Sequence, residues 1–172
     1  MARSVEFDSS GFVYVTVDIR SFKSPAMSTV FYKIDTGANC TTISNVLLND
    51  LGYDNDWIRS GVLLEGNASP TVASGSVLSD CYQVILPEIR IGEWVGYNWP
   101  FTTSLSVPFR LLLGTDSMRF FNWHFDYENG VCNFDLIPGE RKLQFNQKEQ
   151  SIHEVDEPSH ETDQCRSNAG NR

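Results

Sequence analysis

The sequence is short of positive charge, of histidine and of clustered cysteine, and each shortage argues against a class of function. Its 172 residues include 13 Lys and Arg against 22 Asp and Glu, for a formal net charge of -9. A chain of that sign has no positive footprint for phosphate groups, so we expect no nucleic acid and no membrane among its partners. The 3 histidines and 4 widely spaced cysteines contain no C-x-x-C pair or other metal-ligand spacing. We therefore predict no metal site.

Long apolar runs are missing as well. The N-terminus, residues 1–6, has no apolar stretch behind a positive start, and no segment is long enough to span a bilayer. We therefore expect neither a signal peptide nor a membrane anchor, a cytoplasmic location, and cysteines that remain free thiols. The hydrophobic fraction is nevertheless 41%, which is enough to build the core of one ordinary domain.

Most of the first 140 residues have the pattern of short β-strands. Apolar residues alternate with polar ones over 12–19, which places Val13, Val15, Val17 and Ile19 on one face. Asn129-Gly130 separates two alternating runs, which is the strongest short signal for a β-hairpin. Strands are predicted at 12–19, 29–34, 62–64, 76–78, 82–86, 88–91, 111–113, 123–127 and 131–136.

Helical signals are few. Ser44 is a good N-cap for a short helix with an apolar stripe that includes Leu47, Leu48 and Leu51, and Gly52 stands where a helix ends. Thr115 is the candidate cap of a second helical turn that reaches Phe120. The fold class predicted from these patterns is all-β with one or two short helices.

The composition changes near residue 140. From Gln147 to Arg172 the only large apolar residues are Ile152 and Val155, and Glu, Asp, Ser, Gln and Asn dominate. Such a segment buries too little surface to offset its loss of conformational entropy. We therefore predict a domain at 1–140 and an acidic, disordered tail at 141–172. The chain has no internal repeat.

The motif that carries chemistry is Asp35-Thr36-Gly37. A β-rich run delivers a carboxylate into a tight turn, where Gly37 lets backbone approach backbone and Thr36 can hydrogen-bond the loop of a partner. The same three residues also suit an ordinary β-turn, because Asp and Gly are common turn residues. The motif by itself does not choose between a catalytic loop and a plain turn.

The surrounding residues resemble those of the retropepsin-like aspartic proteases. In that family an apolar residue precedes Asp-Thr-Gly-Ala, and a hydroxyl residue and an aliphatic one follow, as in Ile34-Asp35-Thr36-Gly37-Ala38 and Thr41-Thr42-Ile43 here. Further along the chain the family has two apolar residues, a glycine and a short helix, which matches Leu112-Leu113-Gly114 and the residues after it. The resemblance covers roughly residues 13–136.

The resemblance implies a closed β-barrel or sandwich lobe of the acid-protease type, and an endopeptidase that acts on polypeptides. Aspartic proteases use two facing carboxylates, and no second Asp-Thr-Gly is present. The implied enzyme is therefore a homodimer that uses Asp35 of each chain and no cofactor. The alternative is a non-catalytic module that keeps the fold for dimerisation or peptide binding.

The resemblance also assigns roles to single residues. Asp35, Thr36 and Gly37 would be catalytic, and the hairpin from about Leu63 to Leu78 would be a flap over the substrate, although an ordinary surface hairpin has the same pattern. Gly114 would pack against the catalytic turn. The substrate-binding residues would be Ala38, Gly66, Ser74, Gly75 and Gly114.

Two positions depart from the retroviral enzymes, which commonly have a paired Asp and Arg where this chain has Asn39 and Thr115. Because both have changed, we expect a different way of bracing the short helix. No other Asp stands before Thr-Gly or Ser-Gly, and His124 is expected to be structural. The remaining candidates for a second carboxylate are Asp8, Asp80, Asp116, Asp126 and Asp135.

Overall fold

The computed structural model describes residues 3–71 and 75–137, together with the backbone of two later strands, Lys142–Phe145 and Ile152–Glu154. The side chain of Asn67 is not described. The strands are β1 (Arg3–Glu6), β2 (Tyr14–Arg20), β3 (Met27–Ile34), β4 (Val62–Leu63), β5 (Cys81–Ile91), β6 (Trp94–Ser104), β7 (Leu112–Leu113), β8 (Phe121–Asp126), β9 (Val131–Leu136), β10 (Lys142–Phe145) and β11 (Ile152–Glu154). The helices are α1 (Asn45–Asp50), α2 (Asn55–Arg59) and α3 (Thr115–Met118), and Gly66–Ala68 form one 3₁₀ turn.

The larger of two sheets has the strand order β11-β10-β6-β5-β2-β3-β7, with β4 paired to β5. Its middle is antiparallel, whereas β7 runs parallel to the end of β3 through Lys33–Leu112 and Ile34–Leu113. This parallel pair brings two segments that are distant in sequence to the point where β3 ends. The Asp35-Thr36-Gly37 motif begins at that point.

The smaller sheet has the order β1-β9-β8. Its β8–β9 hairpin closes over Asn129-Gly130, as the sequence predicts, with Asp126 opposite Val131. Gly130 has a φ of 67°, in the left-handed region that favours glycine. The strand β1 is not predicted from the sequence, because four residues with one half-buried position carry little alternation.

The strand pattern predicted from sequence is confirmed on β2, where Val13, Val15, Val17 and Ile19 are buried. The prediction fails for β6, an 11-residue strand that pairs with β5 along its length. Gly96, Asn98 and Pro100 interrupt its sequence like turn residues. Asn98 has a φ of 50°, in the left-handed region. Pairing to a long neighbouring strand overrides these local signals.

The three α-helices are short, and the first two have side-chain N-caps. The Ser44 hydroxyl accepts the N–H groups of Val46 and Leu47 at the start of α1. The helix α3 begins after Gly114, which lacks a capping side chain, rather than after Thr115. The helix α2, capped by Asp54, is not predicted, because five residues are too few to show helical periodicity.

One apolar core lies under the larger sheet and joins it to the smaller one. Its largest fully buried side chains are Trp99, Tyr32, Tyr53, Phe101, Ile19, Ile43, Leu48, Ile58, Leu86, Ile89, Ile91 and Leu113. The predicted fold class, all-β with short helices, is confirmed, although the described residues contain three α-helices rather than one or two. None of the helices in the described part is long and apolar enough to cross a membrane.

Two strands fall inside the segment that composition assigns to a disordered tail. The strand β10 pairs with β6 in parallel, from Lys142–Val95 to Gln144–Tyr97, and β11 pairs with β10. The other residues of the predicted tail lie outside the described residues. The division of the chain at residue 140 stays a prediction.

Candidate active site

The Asp35-Thr36-Gly37 motif forms a tight turn at the end of β3. The Ala38 N–H donates to the Asp35 carbonyl (3.1 Å), and the Gly37 N–H donates to Asp35 Oδ1 (2.9 Å). Thr36 and Gly37 are exposed, whereas Asp35 is half-buried. Among the described residues, the Gly37 N–H is the one group that hydrogen-bonds this carboxylate. The turn therefore presents a partly exposed carboxylate at the protein surface.

The turn is held from behind by β7. The Asp35 N–H donates to the Leu113 carbonyl at 3.1 Å, and the Lys33 N–H donates to the Leu111 carbonyl at 3.0 Å. On the other edge of β7, the Thr42 N–H donates to the Leu112 carbonyl at 2.9 Å. The short strand thus lies between the chain that enters the turn and the chain that leaves it. The Leu113 side chain is buried in the core.

Gly114 directly follows β7 and contacts the backbone of the chain leaving the turn. A Cβ at this position would lie 2.4 Å from the carbonyl oxygen of Cys40 and 2.5 Å from its carbonyl carbon. Real Cβ atoms do not approach backbone atoms so closely, so only glycine fits without a backbone shift. The role of Gly114 in substrate binding stays a prediction.

A buried polar network lies beneath the turn, at the start of α3. The Thr41 N–H donates to Asp116 Oδ2 (2.9 Å), and the Thr41 hydroxyl donates to Asp116 Oδ1 (2.6 Å). The Gly114 N–H donates to Thr41 Oγ1 (3.1 Å), and Trp99 Nε1 donates to Ser117 Oγ (3.0 Å). The hydroxyls of Thr41 and Ser117 are 2.6 Å apart. The network connects three segments that are distant in sequence.

This network answers the question that Asn39 and Thr115 raise. Both residues are exposed, and Thr115 is joined by its backbone to the residue before Asn39, since the Thr115 N–H donates to the Ala38 carbonyl at 2.9 Å. The carboxylate that braces α3 is the next residue, Asp116. The sequence names Asp116 only as a spare carboxylate. The sequence offers no local signal for this role, because Thr41 and Ser117 also have polar neighbours in Thr42 and Asp116, and only the fold shows that Thr41 and Ser117 are buried.

The predicted flap is an irregular excursion between β4 and β5. The two strands pair at its base, from Val62–Gln83 to Leu63–Tyr82, and an isolated bridge joins Thr71 to Val77. Gly66 lies in the 3₁₀ turn, and Gly75 precedes the return of the chain. Ser74, predicted to bind substrate, lies outside the described residues. Whether this segment is a flap or an ordinary surface hairpin stays open.

The other candidate carboxylates have local partners. Asp8 Oδ1 accepts the N–H groups of Ser10 and Phe12 within its own turn. Asp80 hydrogen-bonds Tyr82 and Ser106, Asp126 hydrogen-bonds Asn129, and Asp135 accepts the N–H of Leu136. None of these bonds involves Asp35. Within the described part of the chain, the motif aspartate therefore has no carboxylate partner in hydrogen-bond contact.

The described cysteines and His124 do not offer competing chemistry. Cys40, Cys81 and Cys132 are free thiols, and Cys165 lies outside the described residues. Burial raises the pKa of Cys40 and of Cys81, and it raises the pKa of Cys132 to about 11. Their reactive thiolate forms are therefore disfavoured at neutral pH. His124 is exposed on β8, and no cluster of metal ligands occurs in the described part of the chain.

Comparison with known proteins gives support at the level of the fold. No protein-family profile matches the sequence, and no curated protein matches it either. The structure is similar to the crystal structure of a retropepsin-like aspartic protease from Rickettsia conorii, with a TM-score of 0.56 and 18% sequence identity. The match covers 78% of this chain and 89% of that one. The chain thus has a retropepsin-like fold.

Proposed function

We propose that this chain is one half of an aspartic endopeptidase, which is active as a homodimer with one Asp35 from each copy. The observation that carries the proposal is the Asp35-Thr36-Gly37 turn, whose carboxylate is partly exposed although β7 hydrogen-bonds the turn and Gly114 packs against the backbone that follows it. A plain surface turn needs no such support. The turn meets the chemical requirement of a catalytic loop that a second copy completes.

The chemistry follows from bringing two such carboxylates together. Two carboxylates at close range do not both ionise readily, so they share a proton and titrate as a pair. The ionised one acts as general base on a water molecule that attacks the scissile carbonyl carbon. The protonated one donates to the carbonyl oxygen, and the peptide bond breaks after the proton reaches the leaving nitrogen. This route requires no metal and no organic cofactor.

The remaining assignments belong to the same proposal. Thr36 is exposed and available to hydrogen-bond the facing loop of the second copy. Ala38, Gly66, Ser74, Gly75 and Gly114 are proposed to line the substrate path, with the 63–78 excursion as its cover. A cytoplasmic location agrees with the free thiols of Cys40, Cys81 and Cys132, which a reducing compartment preserves.

The test is cleavage of an unstructured protein substrate between acidic and neutral pH, with and without pepstatin. We expect cleavage by the wild type, inhibition by pepstatin, and loss of cleavage in Asp35→Asn, because an amide cannot serve as the general base. The variant should keep the thermal unfolding midpoint of the wild type to within about 2 °C, since Asp35 lies partly exposed at a turn. Equal cleavage by a folded Asp35→Asn protein would refute the catalytic assignment. Absence of cleavage by the wild type would favour a non-catalytic dimerisation or peptide-binding module.

A further inference from the structure

We propose that Asp116 is a positioning residue: its carboxylate fixes the catalytic turn by binding Thr41, which follows the turn in the chain. The inference rests on the proposed function, since it assigns to Asp116 the placement of Asp35. Asp116 does not contact Asp35 itself. It acts through residues 38–41, which connect the turn to the core.

The exposed turn provides few anchors of its own. Thr36 and Gly37 are exposed, and the hydrogen bonds inside the turn, from Gly37 and Ala38 back to Asp35, fix its shape rather than its place. Its place depends on the two ends. At the first end, β3 pairs with β2 and β7. The second end lacks a regular strand until Thr42, which bridges to Thr102 of β6.

Thr41 is the anchor of that second end, and Asp116 satisfies both of its donors. Thr41 has no exposed surface, so an unpaired N–H or hydroxyl there would be costly. Asp116 Oδ2 accepts the Thr41 N–H at 2.9 Å, and Oδ1 accepts the Thr41 hydroxyl at 2.6 Å together with the Ser117 N–H at 2.7 Å. Hydrogen bonds to a carboxylate are stronger than those between neutral groups. Thr41 is thereby fixed by main chain and side chain together.

The number of available hydrogens also determines which group donates each hydrogen bond of the network. A carboxylate only accepts, so the single hydroxyl hydrogen of Thr41 goes to Asp116. Thr41 Oγ1 is then free to accept from the Gly114 N–H and from the Ser117 hydroxyl, and Ser117 Oγ accepts Trp99 Nε1. Each of these donors has an acceptor. Removing one oxygen of Asp116 breaks this balance in a buried place.

A displacement of Thr41 is transmitted to Asp35 through closely packed backbone contacts. The backbone of Cys40, next to Thr41, is packed on Gly114 so closely that no Cβ fits between them. The Ala38 carbonyl, on the other side of Cys40, accepts the Thr115 N–H at 2.9 Å. A shift of Thr41 therefore moves residues 38–40 and the turn before them. Catalysis is sensitive to such shifts, because a displacement of about 1 Å can cost about 100-fold in rate.

The test is Asp116→Asn, which keeps the shape of the side chain and removes one of its two acceptors for Thr41. We expect kcat to fall by about 10- to 100-fold with KM within about threefold of the wild type. The pH–rate profile should also shift, because the separation of the two carboxylates determines how strongly their titrations are coupled. Asp56→Asn is the matched control. Asp56 is exposed and pairs only with Arg59 among the described residues, so its variant should resemble the wild type in every respect.

Amide hydrogen exchange of a peptide that covers residues 34–42 provides a readout independent of activity. We expect exchange there to be at least about 10-fold faster in Asp116→Asn than in Asp56→Asn, because the Thr41 N–H or its neighbours lose an acceptor. Thr41→Ser keeps both donors and should retain wild-type kcat and exchange to within about threefold. Thr41→Val removes the hydroxyl and should behave like Asp116→Asn. In the double variant Asp116→Asn/Thr41→Val, kcat should be no more than about threefold lower than in Thr41→Val, because both substitutions break the same contact.

Each outcome decides one of the two proposals. A folded Asp116→Asn protein with wild-type kcat, pH profile and exchange would overturn the inference and leave the proposed function standing. If the wild type does not cleave, the proposed function fails, and the exchange rates alone decide whether Asp116 holds the turn. If Asp116→Asn does not fold, Thr41→Val takes its place, and wild-type kcat and exchange in that variant would overturn the inference.

Discussion

Among single residues, Gly114 is packed directly against the backbone of another segment. A Cβ there would meet three backbone atoms of Cys40 between 2.4 and 2.9 Å, and backbone cannot move aside as a flexible side chain can. We expect Gly114→Ala to destabilise the fold by about 3 kcal/mol, at the upper end for overpacking, and to abolish cleavage. Chemical denaturation and the cleavage assay measure the two effects.

A second glycine provides the control. Gly130 has a left-handed φ of 67°, but a Cβ added there would have no atom within 4 Å, so Gly130→Ala carries backbone strain without a clash. Its cost should be about 1 kcal/mol, with cleavage retained. Equal losses of stability in the two variants would show that the close approach of Gly114 to Cys40 does not add to the destabilisation.

Glu88 links pH to stability at the residue scale. It is buried on β5, and its two oxygens accept Arg90 Nε and Arg20 Nε at 2.7 Å each. Burial raises the pKa of Glu88, but the hydrogen bonds from both arginines outweigh it and hold the pKa below its ordinary value. A lowered pKa means that the stabilisation is complete above the unfolded-state pKa of about 4.3 and is lost as the pH falls through the folded-state value.

We expect Glu88→Gln to lose about 1–3 kcal/mol of stability at pH 7, because an amide oxygen replaces a carboxylate between two cations. The difference from the wild type should shrink below about pH 4, where the wild-type carboxyl group also becomes neutral. Thermal unfolding at several pH values measures both effects, with the exposed Glu65→Gln as control. A difference that does not change with pH would contradict the charge-based explanation.

At the scale of elements, the two C-terminal strands make the boundary predicted at residue 140 testable. Composition predicts that residues 141–172 are dispensable for folding, but β10 pairs in parallel with β6. Deletion of residues 147–172 removes β11 and its pairing with β10 but keeps β10 on β6. We expect it to leave the unfolding midpoint within about 2 °C, because that segment supplies few apolar residues. Deletion of residues 141–172 should lower it by about 4–8 °C, which corresponds to roughly 2 kcal/mol for a domain of about 150 residues. Equal midpoints for the two truncations would restore the boundary predicted from composition.

At the scale of the whole molecule, the number of motifs predicts the assembly. The chemistry needs two facing carboxylates, the chain contains one Asp-Thr-Gly, and two-fold symmetry is the commonest way for identical chains to meet. Activity per chain should therefore fall on dilution, as dimers dissociate. Mixing the wild type with a ninefold excess of Asp35→Asn chains should reduce cleavage per wild-type chain to about one tenth, because most wild-type chains then enter mixed dimers.

The control for this experiment is the same excess of the double variant Asp35→Asn/Gly114→Ala, which should interfere less if it cannot present the turn. Sedimentation measured at the assay concentration provides the oligomeric state directly. A monomer with robust cleavage, unaffected by added Asp35→Asn chains, would contradict the homodimer. The second carboxylate would then have to come from the same chain.

The sequence by itself determined the features that depend on neighbours along the chain. Alternation over 12–19 identified the buried face of β2, Ser44 identified the start of α1, and Asn129-Gly130 identified the β8–β9 hairpin. Each signal comes from hydrogen bonds or side-chain periodicity within a few residues, so it survives without knowledge of the fold. The shape of the Asp-Thr-Gly turn belongs to the same class, because the two hydrogen bonds inside the turn join Asp35 to Gly37 and Ala38.

Only the tertiary structure decided what supports that turn. Asp116 and Thr41 are 75 residues apart, and no local pattern indicates that they share two hydrogen bonds. The strand β6 likewise forms against its own Gly, Asn and Pro residues, because pairing along β5 supplies what local preference does not. Contacts between distant segments depend on how the sheets bring them together. The sequence therefore located the candidate catalytic aspartate, whereas the fold located the residues that hold it in place.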